Sequence, residues 1–355
     1  MASPEERSLP NAHQSMQAES LGTVIGRLDR RVQSGSIQEF LAIQTGFTEL
    51  DLAIGGGFHQ GQLILLSGPT GIGKTSFAMQ IARNMVSSGR AFCLFACYEH
   101  ETDYLAQRLV AMESLETGYG GPGDGLRLRD ISDLVRSQKE SYPGDPGFLT
   151  AVRRDPRGAQ ALERIARYSN DLLLMKGSPY NTSVRTLADV VRRELALRSA
   201  GPERPLVLFV DYLQKIAAAT PRAEQDARNI EAIDELKALA LEQGIVVVAI
   251  LAAQIEGLRA QRMRLENLLT SAELAYEADM IMIMNEKYDL VDRQHIDYNH
   301  YNAQVFHQYV VVSIEKNRMG SDLVDLQFRK QLQFCRFGSV AERVSEHLIT
   351  GRRRE

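Results

Sequence analysis

The sequence has no tryptophan and only three cysteines, Cys93, Cys97 and Cys335, in 355 residues. So few cysteines cannot form a disulfide framework, and two of them lie inside an apolar run, so we expect core thiols rather than a metal pair. No segment approaches the roughly 18 apolar residues that cross a bilayer, and the first thirty residues lack the pattern of a signal peptide. We therefore expect a cytoplasmic protein with no membrane partner.

Neither sign of charge dominates the chain. There are 41 Lys and Arg against 45 Asp and Glu, for a formal net charge of −4. This balance excludes a global basic field of the kind that coats nucleic acid, so any contact with nucleic acid must be local. Apolar residues make up 44% and charged residues 24%, as in ordinary soluble domains, and the length suits one large α/β domain.

The ends of the chain differ from its centre. Residues 1–19 are polar or small and show no period, which predicts a mobile tail. Apolar residues then recur at helical spacing, which predicts an amphipathic helix within residues 20–40. This helix could pack on its own domain or dock on a neighbouring subunit. The main domain would cover residues 41–338, and residues 339–355 would form a basic C-terminal tail.

From residue 61 onward, short apolar runs alternate with helical patterns. Continuous apolar strands separated by helices predict a mainly parallel sheet covered by helices on both faces. The region between the second and third strands looks like an irregular helical excursion, and the helix over 225–243 is clear. The predicted strands lie at 62–67, 91–98, 206–210, 245–251, 280–284, 309–314 and 323–328.

The strongest motif is the run GPTGIGKT at 68–75, which fits G-x-x-x-x-G-K-[ST] between a strand and a helical pattern. Glycines let such a loop curl so that backbone N–H groups point at phosphate oxygens. Lys74 can then neutralise the β- and γ-phosphates of ATP, and the Thr75 hydroxyl can hold Mg²⁺. The residues expected to bind the nucleotide are Gly68, Pro69, Thr70, Gly71, Ile72, Gly73, Lys74, Thr75 and Ser76.

Hydrolysis further requires polar groups at the strand ends. Asp211 ends an apolar strand, as expected for a carboxylate that reaches Mg²⁺ at the carboxyl edge of a sheet. Glu99 follows another strand and would act as the general base, with His100 and Glu101 as adjacent alternatives. Gln254 follows the strand over 245–251, where its amide could sense the γ-phosphate or could simply cap the strand.

Several of these runs occur in a familiar order: KTSFAM at 74–79, DYLQ at 211–214 and KNRMG at 316–320, preceded by TGF at 45–47 and GGG at 55–57. In this order they resemble the C-terminal motor domain of the DnaB-type replicative helicases over residues 20–338. The resemblance implies a RecA-like P-loop NTPase fold. It also implies a ring, usually of six subunits, with ATP at each subunit interface and single-stranded DNA in the central channel.

By this resemblance, Arg318 would be an arginine finger inserted into the neighbouring subunit's site, and Lys316 would contact the same γ-phosphate. Both could instead be exposed charges on a hairpin. For DNA, the candidates are Arg259, Arg262 and Arg264. Arg259 and Arg262 are three residues apart, so these two could equally form one solvated helix face. We expect a tail and one helix where the family has a large N-terminal domain, and the stretch 287–307 has no counterpart that we can assign.

The leading interpretation is an ATP-driven DNA helicase or translocase that acts on single-stranded DNA in replication or repair, with a loading partner that the sequence does not identify. The alternative is a regulatory ATPase that resembles the KaiC group and signals through protein contacts. A tandem Glu-Glu at the strand end is typical of that group, whereas here Glu99 is followed by His100. A nucleotide-bound scaffold with little turnover is a third possibility.

Overall fold

A computed structural model describes residues 18–35, 37, 40–115, 124–141, 144, 147–199, 204–217, 225–253, 257, 260–268, 276–291 and 304–349. Most of the predicted N-terminal tail therefore lies outside the described residues. The chain divides into two compact units, Met1–Leu41 and Ala42–Glu355.

Among the described residues of the first unit, α1 forms a helix over Leu21–Gln33, inside the range predicted for it. Ser20 caps its first turn, because the Ser20 hydroxyl accepts a hydrogen bond of 3.2 Å from the Thr23 N–H. Arg30 and Arg31 lie in the last turn, where cations favour the helix dipole. The apolar side chains of Leu21 and Ile25 are exposed.

The second unit is built on one sheet of nine strands, in the order β3-β2-β4-β5-β1-β6-β7-β8-β9. The first six strands in this order pair in parallel, and β7, β8 and β9 continue the sheet in antiparallel pairs. Their bounds are Leu63–Gly68, Phe92–Cys97, Leu172–Lys176, Leu206–Asp211, Val246–Ala252, Met280–Glu286, Tyr309–Asn317, Val324–Gln331 and Arg336–Arg343 for β1 to β9.

Helices cover both faces of this sheet. Side chains alternate along β1. Leu63 and Leu65 pack in one buried cluster with the helices Val184–Arg198 and Gln225–Gln243. Ile64 and Leu66 pack in another cluster with the helices Thr48–Ala53, Lys74–Ser87 and Thr102–Ser114. The predicted fold class is therefore confirmed. The helices of this unit are Thr48–Ala53, Lys74–Ser87, Thr102–Ser114, Leu128–Ser141, Phe148–Arg153, Pro156–Tyr168, Val184–Arg198, Gln225–Gln243 and the single turn Lys287–Leu290, for α2 to α10.

Two strands, β3 and β9, were not predicted, and both are edge strands. The run LLLMK of β3 suits a helix as well as a strand, and it stands where only a helical excursion was expected. Three of the eight residues of β9 are buried, so its sequence lacks the continuous apolar run of a central strand. β9 continues to Arg343, beyond the boundary predicted at residue 338.

The loop that opens the second unit is organised by one buried carboxylate. Asp51 accepts hydrogen bonds of 2.7 Å from the Thr45 N–H and 2.8 Å from the Thr45 hydroxyl. Burial raises the pKa of Asp51, and these hydrogen bonds oppose the increase. Gly46 has a φ of 83°, and a Cβ there would lie 2.6 Å from Asn84 Cβ. The run TGF with the following Leu50-Asp51 is thus a folded turn that packs on α3.

The three cysteines are free and buried, as expected for core thiols. Within the part of the chain that the structure describes, no helix is long and apolar enough to span a bilayer. In the stretch 287–307, Lys287 is buried, and its Nζ lies 2.6 Å from Glu346 Oε1. The described part of this stretch therefore anchors the C-terminal segment.

Candidate active site

The phosphate loop lies where the motif predicts it, between β1, which ends at Gly68, and α3, which begins at Lys74. Gly71 and Gly73 take left-handed φ values of 82° and 101°, so the loop curls around the start of α3. Lys74 Nζ donates to the Gly68 carbonyl at 2.7 Å and to the Pro69 carbonyl at 3.0 Å. The ammonium is therefore held over the loop that the motif assigns to phosphate.

A hydroxyl and a carboxylate meet just after the loop. The Thr75 hydroxyl donates a hydrogen bond of 2.8 Å to Asp211 Oδ2 at the carboxyl end of β4. Asp211 is only 1% exposed; burial raises its pKa, and the Thr75 hydrogen bond opposes this increase. A hydroxyl and a carboxylate that converge at one point offer the oxygen ligands that Mg²⁺ prefers. These residues thus fit the predicted metal ion.

A cavity of about 410 Å³ opens beside this pair. Glu99, which is exposed after the end of β2, lines the cavity together with His100 and Lys74. Burial lowers the pKa of Lys74, while the negative charges of Asp211 and Glu99 raise it. Glu101 forms an ion pair with Lys176, away from the cavity lining. The structure therefore brings Glu99 and His100, rather than Glu101, to the predicted nucleotide.

Two residues that sequence reasoning missed complete this edge of the sheet. Arg108, in the middle of α4, lines the same cavity and donates a hydrogen bond of 2.6 Å to the Ser76 hydroxyl. Gln214 of the DYLQ run bonds to the backbone of Ala252 at the end of β5. The DYLQ run itself pointed to Gln214, whereas no motif marks Arg108, because only tertiary packing brings α4 to the loop.

Lys316 and Arg318 lie at the other end of the strands from the phosphate loop, where the parallel strands β1 and β6 begin. Lys316 pairs with Ile281 near the start of β6, which runs parallel to β1. Lys316 Nζ donates to the Ala278 carbonyl at 2.5 Å, and Arg318 Nη1 lies 3.1 Å from Asp279 Oδ1. Gly320 packs tightly against the glycine run at 55–57, since a Cβ added at position 320 would lie 3.1 Å from Gly55 N. The hairpin of β7 and β8 carries both cations. It therefore presents them at the opposite strand ends from the phosphate loop of its own chain.

The arginines predicted to contact DNA differ in how far they are buried. Arg262 is 4% exposed, and Nη2 donates to both carboxylate oxygens of Asp325, at 2.8 and 2.9 Å. The prediction that Arg262 contacts DNA is therefore wrong for this conformation, because the ion pair buries its charge. Arg264 pairs with Glu315 at 2.7 Å and keeps a quarter of its side chain exposed. Gln254 and Arg259 lie outside the described residues.

Comparison with known proteins agrees with this geometry. A chain from Rickettsia typhi named replicative DNA helicase DnaB is 26% identical over 322 residues, which cover 87% of this chain and 59% of that relative. The present chain thus spans less than two thirds of the relative's length.

Solved structures show the fold alone. A DnaB-like replicative helicase, described with its interactions with primase, has a TM-score of 0.63 at 18% identity, over 90% of this chain and 67% of that one. A KaiC-like protein from Pyrococcus horikoshii has a TM-score of 0.51 at 15% identity, over 85% of this chain and 98% of that one.

The family comparison covers most of the second unit. The family described as DnaB-like helicase C terminal domain matches residues 42–119 and 156–338. The gap between the two matched ranges falls in the helical region before β3, where α5 and α6 lie. With more than half of its residues matched, the chain belongs to the DnaB-like helicase C-terminal domain family.

Proposed function

We propose that this chain is the ATP-hydrolysing motor of a ring-forming helicase or translocase that moves on single-stranded DNA. The observation that carries the proposal is the placement of two half-sites at opposite edges of one sheet. The phosphate loop, Thr75, Asp211 and Glu99 stand at the carboxyl edge of the parallel strands. Lys316 and Arg318 stand at the other edge.

At the carboxyl edge, the loop N–H groups and Lys74 would hold the phosphates of ATP, while Thr75 and Asp211 would hold Mg²⁺. A bound Mg²⁺ would neutralise charge on the phosphate oxygens. Glu99 would accept a proton from the attacking water and orient it toward the γ-phosphate. Arg108, which lines the cavity, would add a second cation from the same chain.

The cations at the other edge cannot serve their own chain's nucleotide. β1 runs from Leu63 to Gly68 and rises about 3.3 Å per residue, which separates the two edges by roughly 16 Å. Arg318 would therefore act on a neighbouring copy, where it would stabilise the charge that develops on the transferred phosphoryl group. A head-to-tail contact closes into a ring when its rotation completes a full circle, and we propose a ring of six subunits, as the family resemblance implies.

The proposed path for DNA runs along the segment after β5, with Arg264 and Arg259 as its cations. Arg264 is partly exposed in the structure, although its guanidinium is shared with Glu315. Phosphate contacts of this kind release counterions, so the affinity for single-stranded DNA would fall steeply with salt. Gln254 would link the γ-phosphate to this segment, since it follows β5 directly.

Turnover assays with and without single-stranded DNA test the proposal. ATP hydrolysis is expected to rise several-fold with DNA, to lose that stimulation as salt increases, and to disappear in Lys74→Ala. The matched control is Lys139→Ala, in the last turn of α5 and away from the cavity. Turnover that DNA leaves unchanged at every salt concentration would contradict the DNA motor and favour the regulatory ATPase.

A further inference from the structure

Asp279 is a nearly buried carboxylate at the edge of the sheet that carries the hairpin cations. It is 7% exposed and immediately precedes β6. Its backbone N–H donates to the Leu63 carbonyl at 2.9 Å, and the Leu63 N–H donates to Asp279 Oδ2 at 2.8 Å. These two bonds tie Asp279 to the first residue of β1, whose other end carries the phosphate loop.

The same carboxylate receives two cations. Lys237 Nζ, from α9, lies 2.7 Å from Asp279 Oδ2, and Arg318 Nη1 lies 3.1 Å from Oδ1. The Arg318 N–H also donates to the Asp279 carbonyl at 3.0 Å. The guanidinium is held at a second point, because Nη2 donates to the Tyr276 carbonyl. Arg318 is thus fixed at its backbone and at both terminal nitrogens, yet its side chain remains 49% exposed.

Three cations, Lys237, Arg318 and Lys316, lie close together around Asp279 and the Tyr276 carbonyl. Lys316 Nζ reaches the Tyr276 carbonyl at 3.1 Å, beside the Arg318 guanidinium. Burial lowers the pKa of Lys316, the charges of Arg318 and Lys237 lower it further, and Asp279 and Glu277 raise it. Without the Asp279 charge, three cations from α9 and the hairpin would repel one another across a few ångströms.

We propose that Asp279 is the positioning residue for Arg318: it holds the guanidinium at the exposed rim of the sheet, ready for a phosphate of the neighbouring copy. This inference rests on the proposed function, because it presumes that Arg318 acts in the next subunit's site. Asp279 does not line the cavity beside the phosphate loop. The two hydrogen bonds to Leu63 hold Asp279 rigidly. Arg318 therefore needs little reorganisation when charge develops on the phosphoryl group.

Asp279→Asn tests the role, since the amide keeps an oxygen for the Leu63 N–H but removes the charge that orients Arg318. We expect kcat for ATP hydrolysis by the assembled protein to fall about tenfold with KM for ATP unchanged, while the melting temperature falls because Lys237 loses its anionic partner. KM for ATP is expected to stay the same, although kcat falls, because the variant chain's own phosphate loop is intact. Asp322→Asn, an exposed acid on the same hairpin, is the matched control and should leave kcat unchanged.

A double-mutant cycle with Arg318→Ala makes the result specific. If Asp279 acts through Arg318, Asp279→Asn should have no further effect in the Arg318→Ala background. An equal loss in both backgrounds, or no loss in either, would overturn the positioning role. If Arg318→Ala itself leaves kcat unchanged, the finger assignment in the proposed function is wrong, and the positioning role is overturned with it.

Asp279→Glu keeps the inference testable if Asp279→Asn fails to fold or assemble. The longer acid retains the charge but displaces the guanidinium by about one carbon–carbon bond. We expect assembly and KM as in the unaltered protein, with kcat between those of the unaltered protein and Arg318→Ala. A kcat equal to that of the unaltered protein would overturn the proposal, since the finger would then tolerate a displaced anchor.

Discussion

The carboxamide of Gln214 forms two hydrogen bonds with the backbone of one residue, Ala252. Gln214 Nε2 donates to the Ala252 carbonyl at 3.0 Å, and the Ala252 N–H donates to Gln214 Oε1 at 3.1 Å. Gln214 follows the end of β4 that carries Asp211, and Ala252 ends β5. One side chain therefore joins the strand that carries Asp211 to the strand that leads to the proposed DNA segment.

Gln214→Ala is expected to uncouple these strand ends. Both backbone groups of Ala252 would lose a partner, which should cost about 1–3 kcal/mol of unfolding free energy. Stimulation of ATP hydrolysis by single-stranded DNA should fall more than basal turnover does. Denaturant unfolding and ATPase assays measure the two effects, with Gln243→Ala at the end of α9 as the control. An equal loss of basal and stimulated turnover would contradict the coupling.

Glu99→Gln should separate binding from hydrolysis. The amide cannot accept the proton of the attacking water, so we expect turnover to fall by about 10²-fold or more while ATP still binds. Single-turnover hydrolysis and nucleotide binding measure the difference. Glu101→Gln is the matched control, because Glu101 pairs with Lys176 outside the cavity lining. A larger loss in Glu101→Gln than in Glu99→Gln would reassign the base.

Arg318→Ala should act on neighbours rather than on its own chain. Mixed assemblies of altered and unaltered subunits are expected to lose ATPase activity more than in proportion to the altered fraction, because each missing cation disables the adjacent site in a coordinated ring. Activity across a series of mixing ratios measures this. A strictly proportional loss would show that Arg318 has no role in trans.

Arg262→Met and Arg264→Met should separate stability from DNA binding. Removal of the buried Arg262 leaves the Asp325 carboxylate without its cation, which should cost about 3–5 kcal/mol of unfolding free energy. Removal of the more exposed Arg264 should cost less stability and should reduce the salt dependence of DNA binding by about one phosphate contact. Calorimetry and salt titrations of DNA affinity measure both. Equal stability losses would contradict the structural role of Arg262.

Asp155 should make α7 sensitive to acid. Its side chain caps α7 through the Arg157 N–H at 2.8 Å, and its hydrogen bonds with the Arg157 guanidinium lower the pKa of Asp155 below the ordinary 3.8. A lowered folded-state pKa stabilises the protein above that ordinary value, and the stabilisation is lost as pH falls through the folded value.

Asp155→Ala should therefore cost about 1 kcal/mol at neutral pH and less below pH about 4. Unfolding free energies across this range check the prediction. Asp189→Ala on α8, an exposed acid in an i,i+3 pair with Arg192, is the control and should change stability little. A cost for Asp155→Ala that does not change with pH would contradict the cap's ionic character.

The central strands and the phosphate loop could be predicted from sequence because their signals are local. A strand buried on both faces must be apolar throughout, and the loop needs its glycines and Lys74 at fixed spacing whatever surrounds it. Edge strands carry no such signal, since each pairs with a neighbouring strand on one side only. For this reason β3 and β9 were missed.

Burial and partners were decided only by tertiary structure. The spacing of Arg262 and Arg264 does not reveal that one arginine is buried against Asp325 while the other keeps part of its side chain exposed. Arg108 reaches Ser76 because α4 packs beside the phosphate loop. Asp279 acquires two cations because β6 and α9 meet the start of β1. Local sequence determined which chemistry is present, whereas long-range packing determined which charges face one another, because a charge's role depends on neighbours that are distant in the chain.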